Sequence, residues 1–177
     1  MNVRDMAGCT MALGDAAIAA GSTTTMTAGA VIDYMINGKA HTAPAISAVQ
    51  PNTVDSNTGV AMAGVPPGYG TVIVFGYNAA ESTAMRMVQG EIVKLAANTS
   101  AYHPGAFVDV PEWPAIPDDF CPVGYATVKV ATDYTAGATY VFGTSNTTAT
   151  GAQNSAATAH ANLFTSICTL PNRSQLT

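Results

Sequence analysis

Charge is the first thing that this 177-residue sequence lacks. Lys and Arg together number 6 and Asp and Glu 11, so charged residues make up 10% of the chain, whereas a typical soluble domain carries about 25%. Ala and Thr take their place, with 32 and 23 residues. A surface of this kind is weakly hydrated, yet it is too polar for a membrane. The composition predicts a protein that is largely covered by copies of itself or by a larger assembly.

The sequence also lacks a basic patch. Its formal net charge is −5, and binding to nucleic acid requires clustered cations that neutralise phosphates. The six cations are instead scattered along the chain, at Arg4, Lys39, Arg86, Lys94, Lys129 and Arg173. We therefore expect no nucleic-acid partner.

Long apolar runs are missing as well. No segment approaches the 18 consecutive apolar residues of a membrane span, so we expect no membrane partner. Arg4 and Asp5 precede a mixed stretch without the apolar core of a signal peptide. At 177 residues the chain fits one domain with long arms.

Cysteine is scarce, with three residues at Cys9, Cys121 and Cys168. An odd number at wide spacing indicates neither a disulfide framework nor a zinc site. Buried free thiols are the favoured interpretation, because cysteine behaves as a small apolar residue. A Cys121–Cys168 bridge remains the alternative.

Motifs of catalysis and cofactor binding are absent. The sequence contains no G-x-S-x-G, P-loop or G-x-G-x-x-G pattern. The glycines of 64–70 surround Pro66-Pro67, which lacks the amides of a phosphate cradle. We expect no enzyme activity, no cofactor and no metal. The three histidines lie too far apart for a metal motif, at His41, His103 and His160.

Three further features are candidates for a functional role. Asp118-Asp119 with Glu112 predicts a solvated turn, although calcium binding and paired glycosidase carboxylates are alternatives. Trp113 is a minor candidate for carbohydrate binding. Met85 and Met87, which flank Arg86, predict core filling with an interface role as the alternative.

The first half of the chain reads mostly as strands. Residues 15–20 favour one or two helical turns. Residues 30–36 form a strand, and Asn37-Gly38 predicts a two-residue turn into an antiparallel return over 39–42. The apolar run 70–77 predicts a central strand.

Residues 78–98 fit either a helix or a hairpin. Met85, Val88, Ile92 and Leu95 have helical spacing, and Asn78 with Glu81 resembles a capping box. Gly90 interrupts that pattern, because glycine costs a helix about 1 kcal/mol. We favour a hairpin of 84–88 and 91–95 that turns at Gln89-Gly90.

The second half begins with a proline-rich loop over 103–123 and a strand over 123–130, in which Tyr125, Thr127 and Lys129 share one face. Residues 138–142 should pair back on that strand. A low-complexity loop over 143–158 and a last strand over 161–170 complete the expected order.

Short strands with turn signals predict an all-β fold: a compact antiparallel β-sandwich or barrel knob with extended N- and C-terminal arms. We divide the chain into an N-terminal arm over 1–29, a sandwich or barrel domain over 30–142, and a loop, last strand and tail over 143–177. The two ends are candidates for contacts with other subunits.

Three stretches in order carry a resemblance: 34–39 (YMINGK), 87–90 (MVQG) and 114–130, from PAIP through PVGYATVKV. Together with Leu170-Pro171 they resemble a group of small tailed-bacteriophage virion proteins, similar to capsid decoration (cement) proteins. The resemblance covers about residues 22–171.

The resemblance implies a role on the capsid surface of a virion, with synthesis in the host cytoplasm. It implies a homotrimer that bridges and stabilises subunits of the major capsid protein on the head exterior. Two alternatives remain: a tail fibre, spike or baseplate adhesin that binds a host-surface glycan, and a glycan hydrolase that uses Asp118, Asp119 or Glu112.

Overall fold

The computed structural model describes residues 10–20, 26–49, 54–80, 85–97, 104–132, 139–140 and 156–162. Within them the chain forms strands and no helix, which confirms the all-β prediction, and no apolar helix of membrane-spanning length is found there. The strands are β1 (Met11–Ala12), β2 (Ile18–Ala20), β3 (Met26–Ala28), β4 (Ile32–Ile36), β5 (Lys39–Ala43), β6 (Ile46–Val49), β7 (Tyr69–Asn78), β8 (Arg86–Gln89), β9 (Val93–Lys94), β10 (Phe120–Val130) and β11 (Ala156–Asn162).

Three antiparallel sheets build the molecule. The central sheet has the order β11-β10-β7-β8, with β9 also paired to β7, and the two smaller sheets have the orders β1-β4-β5 and β2-β3-β6. One buried cluster joins residues of all three sheets, among them Ile18, Tyr34, Phe75 and Val128. The small sheets therefore cover one face of the central sheet, here called its inner face. The described strands are layered as in a sandwich and do not close into a barrel.

Strand β7 is the middle of this arrangement. It pairs with β10 on one side and with β8 and β9 on the other, and every residue from Thr71 to Tyr77 is buried. Ile73, Phe75 and Tyr77 belong to the inner core, whereas Val72 and Val74 belong to a second cluster on the opposite, outer face. The prediction of a central strand is confirmed.

The hairpin of β4 and β5 also forms as predicted. Ile36 pairs with Lys39 across the turn, and Asn37 and Gly38 have φ angles of 50° and 77°. Positive φ at both positions is what a type I′ turn requires, and Asn-Gly meets that requirement at the lowest strain.

The hairpin predicted over 84–95 was wrong in its pairing. The segment is extended rather than helical, but β8 and β9 both pair with β7 and not with each other. Gly90 does not turn the chain: its N–H donates to the carbonyl of Val72 at 2.7 Å. The edge of β7 that faces away from β10 pairs with both β8 and β9, which gives a longer ladder than a hairpin at Gln89-Gly90 would.

The N-terminal segment also differs from its prediction. Residues 18–20 form a strand rather than helical turns, and β1 pairs with β4 while β2 pairs with β3. Ala12, Ala16, Ile18 and Ala28 are buried in the inner core, so the described part of 1–29 is no free arm. Small side chains let these short strands lie close to the sheet. The division of the chain at residue 29 stays a prediction.

Strand β10 forms as predicted and begins earlier, at Phe120. Its pairing with β7 shifts register between Pro122 and Gly124, where a bulge accommodates the proline that cannot donate to the ladder. Residues 156–158, predicted as loop, belong to β11. Tyr140, expected to pair with β10, instead bridges to Val65, because β11 occupies that edge of β10. Residues 163–170 of the predicted last strand lie outside the described residues.

Candidate binding surface

A proline-rich segment, residues 104–119, covers the outer face of the central sheet. Pro111, Pro114 and Pro117 are spaced by three, the repeat of a polyproline II helix, and Pro114 is buried. Ile116 packs on the outer-face cluster. We call this stretch the outer segment. It covers β7 on the face opposite the two small sheets. It is irregular because its prolines cannot donate to a sheet ladder.

Both ends of the outer segment are anchored to the sheet. At one end the ring of Phe107 lies against Gly70, where an added Cβ would approach the ring to 2.7 Å. The ammonium of Lys129 stands 4.9 Å from the centroid of the same ring. The N–H of Val108 donates to the carbonyl of Lys94 at 3.2 Å. This end is therefore fixed by backbone contact, ring packing and a cation–π contact.

Further along, the indole of Trp113 packs edge-on against the ring of Tyr125, with centroids 5.5 Å apart and planes at 70°. Edge-to-face packing is a favoured geometry of aromatic pairs. Gly90 brings its backbone close to the carbonyl of Glu112 and the ring of Pro114. The outer segment is thus held at several points along the sheet.

Apolar side chains of the outer segment nevertheless face solvent. Val108 is 57% exposed, Val110 91% and Trp113 49%. We call these three residues the outer patch. The carboxylates of Asp109 and Glu112 are exposed beside it. Large exposed apolar groups bordered by polar ones are typical of binding surfaces.

The inner core contains a polar cluster of different character. The ring of Tyr34 stacks on His41 at 5.3 Å and on Tyr77 at 5.6 Å, and the Tyr34 hydroxyl donates to the carbonyl of Asn78 at 3.1 Å. Burial raises the pKa of Tyr77 to about 12 and the pKa of the Cys121 thiol to about 12. Burial, and secondarily Cys121, raises the pKa of Tyr34. At neutral pH these groups stay protonated, so they are poor nucleophiles.

Asp55 is a buried carboxylate that organises the loop before β7. Its Oδ1 accepts from the backbone N–H groups of Asn57 and Thr58, both at 2.9 Å, and its Oδ2 accepts from the N–H of Gln89 at 2.6 Å. The Gln89 side chain in turn bonds both backbone groups of Ala63. The carboxylate is engaged on both oxygens by its own chain, which indicates a structural role.

The residues singled out in the sequence are not gathered into one site. His41 lies on β5 and His160 on β11, in different sheets, and His103 lies outside the described residues. Among the described residues no group of three His, Cys, Asp or Glu side chains could hold a metal ion. Glu112, Asp118 and Asp119 therefore do not form the calcium site considered as an alternative.

Three of the residue-level predictions can be compared directly with the structure. Met85 and Met87 are buried in the inner core, which confirms core filling. Cys121 is a buried free thiol, as predicted, while Cys9 and Cys168 lie outside the described residues. Trp113 belongs to the outer patch.

Asp55 and the two exposed valines were not among the residues predicted from the sequence. Asp55 stands in a turn-rich stretch where an Asx-turn signal exists in D-S-N-T-G. The exposure of Val108 and Val110 has no sequence signal, since the proline-rich loop predicted there has no periodicity that separates buried from exposed positions. Comparison with family models, curated proteins and solved structures found no match.

Proposed function

We propose that this chain is a structural protein of a tailed-bacteriophage virion, a capsid decoration or cement protein that bridges and stabilises major capsid subunits on the head exterior. In this proposal it works as a homotrimer, binds the major capsid protein and catalyses no reaction. Nucleic acid and membranes are not its partners.

One observation carries the proposal: the resembling stretches fall at places that define the sandwich. Residues 37–38 make the turn between β4 and β5, and 87–90 end β8 beside the core of β7. Residues 122–130 form most of β10, including its bulge. The resembling motifs have structural rather than chemical roles. They therefore support a fold in common with capsid decoration proteins, and hence an adhesive role.

The composition supports the same role. Charged residues make up 10% of the chain, which suits faces that are covered in an assembly. Adhesion needs no reactive group, since burial of apolar area contributes about 25 cal/mol per Å². Three copies joined in one trimer would multiply weak contacts through effective concentration.

The test is the abundance of the protein in purified virions. We expect a stained gel to show a band at 18.0 kDa of an intensity comparable, per mass, with that of the major capsid protein. Virions of a phage that lacks the gene should show no such band and should be less resistant to heat and low salt than wild-type virions. A faint band, or full stability of the particles without the protein, would contradict the proposal.

The adhesin alternative has one structural observation in its favour. Trp113 exposes 49% of its surface, and its sequence neighbour Glu112 is also exposed; an exposed indole can stack a sugar ring. An adhesin would be scarce in the virion, and the free protein would block infection of the host.

A further inference from the structure

We propose that Asn37 is a deamidation site whose reaction is gated by the β4–β5 hairpin. The side-chain amide is lost only when the hairpin turn opens, and one of the two products cannot rebuild the turn. The inference goes beyond the proposed function and does not depend on it. It rests on the chemistry of the Asn37-Gly38 pair and on the geometry that the fold imposes on that pair.

The pair is chemically reactive. Deamidation begins when the backbone nitrogen of Gly38 loses its proton and bonds to Cγ of Asn37. The Cγ–Nδ2 bond then breaks, the amide nitrogen takes up a proton and leaves as ammonia, and a succinimide ring remains. Glycine favours this ring closure because no side chain shields its nitrogen. Asn37-Gly38 is the single Asn-Gly pair of the sequence, and Asn37 is exposed to water.

The closed turn prevents ring closure. Asn37 and Gly38 have φ angles of 50° and 77°, and in a type I′ turn the ψ angle of the first residue is about 30°. The Gly38 nitrogen then lies nearly anti to Cβ of Asn37, where it cannot reach Cγ. The ring closes only when this nitrogen and Cβ are eclipsed, so Asn37 must first leave the turn conformation.

Several contacts hold the turn closed. Ile36 and Lys39 pair directly across it. The N–H of Asn37 donates to Oγ1 of Thr10 at 3.2 Å, and its Nδ2 donates to the carbonyl of Asp118 at 3.5 Å. The last contact ties the leaving amide to the end of the outer segment. Deamidation therefore requires local opening of the hairpin, and its rate follows the population of the open form.

Water opens the succinimide in two ways, and the two products affect the fold differently. Breaking the bond between the Gly38 nitrogen and Cγ gives aspartate, and Asp-Gly is still compatible with a type I′ turn. Breaking the bond to the main-chain carbonyl gives isoaspartate, which leads the chain through Cβ and Cγ and lengthens the turn by one backbone atom. Ile36 and Lys39 then no longer meet in register, so the isoaspartate form keeps an open hairpin end.

The experiment follows deamidation of the full-length purified chain at neutral and mildly alkaline pH. Peptide mass spectrometry detects the exchange of the amide NH2 for OH, and reverse-phase separation distinguishes aspartate from isoaspartate. A synthetic peptide of residues 32–43 gives the rate without the fold. Ile36→Ala loosens the hairpin, because Ile36 is buried beside the turn. Val74→Ala is the matched control, because it removes part of a buried side chain on the outer face of β7.

We expect Asn37 to react at least about tenfold more slowly in the folded chain than in the peptide, which corresponds to about 1.4 kcal/mol of local opening free energy. Ile36→Ala should raise the rate in the folded chain about tenfold, since it removes packing that exists only while the hairpin is closed. Val74→Ala should stay within about twofold of the wild type. All rates should rise with pH, because the Gly38 nitrogen attacks after losing its proton.

Equal rates in the folded chain and the peptide would overturn the inference, because the turn would then offer no protection. Equal acceleration by Ile36→Ala and Val74→Ala would also overturn it, since global unfolding rather than hairpin opening would control the reaction. An isoaspartate form that unfolds in urea at the same midpoint as the unmodified chain would contradict the account of the products.

Discussion

The two faces of β7 are covered in different ways. On the inner face, Ile73, Phe75 and Tyr77 meet two regular sheets in a cluster of buried side chains. On the outer face, Val72 and Val74 meet a single irregular segment, whose outer side still exposes three large apolar residues. The comparison teaches that the inner face is closed by regular sheets, whereas the cover of the outer face leaves large apolar side chains exposed.

The largest effect should come from the inner face. Phe75 is completely buried, so we expect Phe75→Ala to lower the free energy of unfolding by about 3–5 kcal/mol. Val74→Ala, on the outer face of the same strand, removes less volume and should cost about 1–2 kcal/mol. Urea unfolding checks both, and equal costs at the two positions would break the comparison.

The second largest effect concerns the loop that joins the small sheets to β7. Asp55→Ala leaves the N–H groups of Asn57, Thr58 and Gln89 without their acceptor, so we expect a loss of about 2–3 kcal/mol in stability. Asp33→Ala is the control, since the exposed Asp33 accepts a single bond from the Thr42 hydroxyl at 2.6 Å. Its cost should stay within about 0.5 kcal/mol. A similar loss in both variants would show that Asp55 does not organise the loop.

A pH dependence should also originate from the inner face. Burial raises the pKa of Cys121 from 9.0 to about 12, so the unfolded chain loses this proton at lower pH than the folded chain does. The resulting stabilisation is complete below pH 9 and is lost as pH rises toward 12. At pH 10.5 about 2 kcal/mol of it is gone.

Cys121→Ala removes this contribution. The difference in unfolding free energy between wild type and variant should therefore narrow by about 2 kcal/mol between pH 8 and pH 10.5. Tyr77, whose pKa is also raised, titrates in both proteins and cancels in the comparison. A constant difference over that range would mean that the thiol is not sequestered in the folded protein.

The outer face should respond least. Trp113→Ala removes an edge-to-face contact with Tyr125 from a half-exposed ring, and we expect it to cost about 1 kcal/mol. Equilibrium unfolding in urea gives the value. A loss of 3 kcal/mol or more would place Trp113 in the core of the fold and would weaken its assignment to a binding surface.

What the sequence could predict was local. The Asn37-Gly38 turn follows from two residues that tolerate positive φ, and β7 follows from an unbroken apolar run. Alternation placed Tyr125, Thr127 and Lys129 on one face of β10, and all three are half-buried while Ala126 and Val128 are fully buried.

What it could not predict was the choice of partner at a free strand edge. Residues 86–94 are extended as expected, yet they pair with β7 because a long-range ladder was available. Residues 156–158 have no apolar alternation that marks a strand, but β10 offers them an edge. The outer patch could not be predicted for a related reason. The exposure of Val110 depends on the path that the proline-rich segment takes over the sheet.

The central claim is that the inner face of the central sheet maintains the fold, while the apolar side chains exposed on the outer segment add little to its stability. Val110→Asp tests it most directly, because Val110 is 91% exposed, and urea unfolding gives the value. The account predicts a free energy of unfolding within about 0.5 kcal/mol of the wild type. A loss of about 2 kcal/mol or more would contradict it.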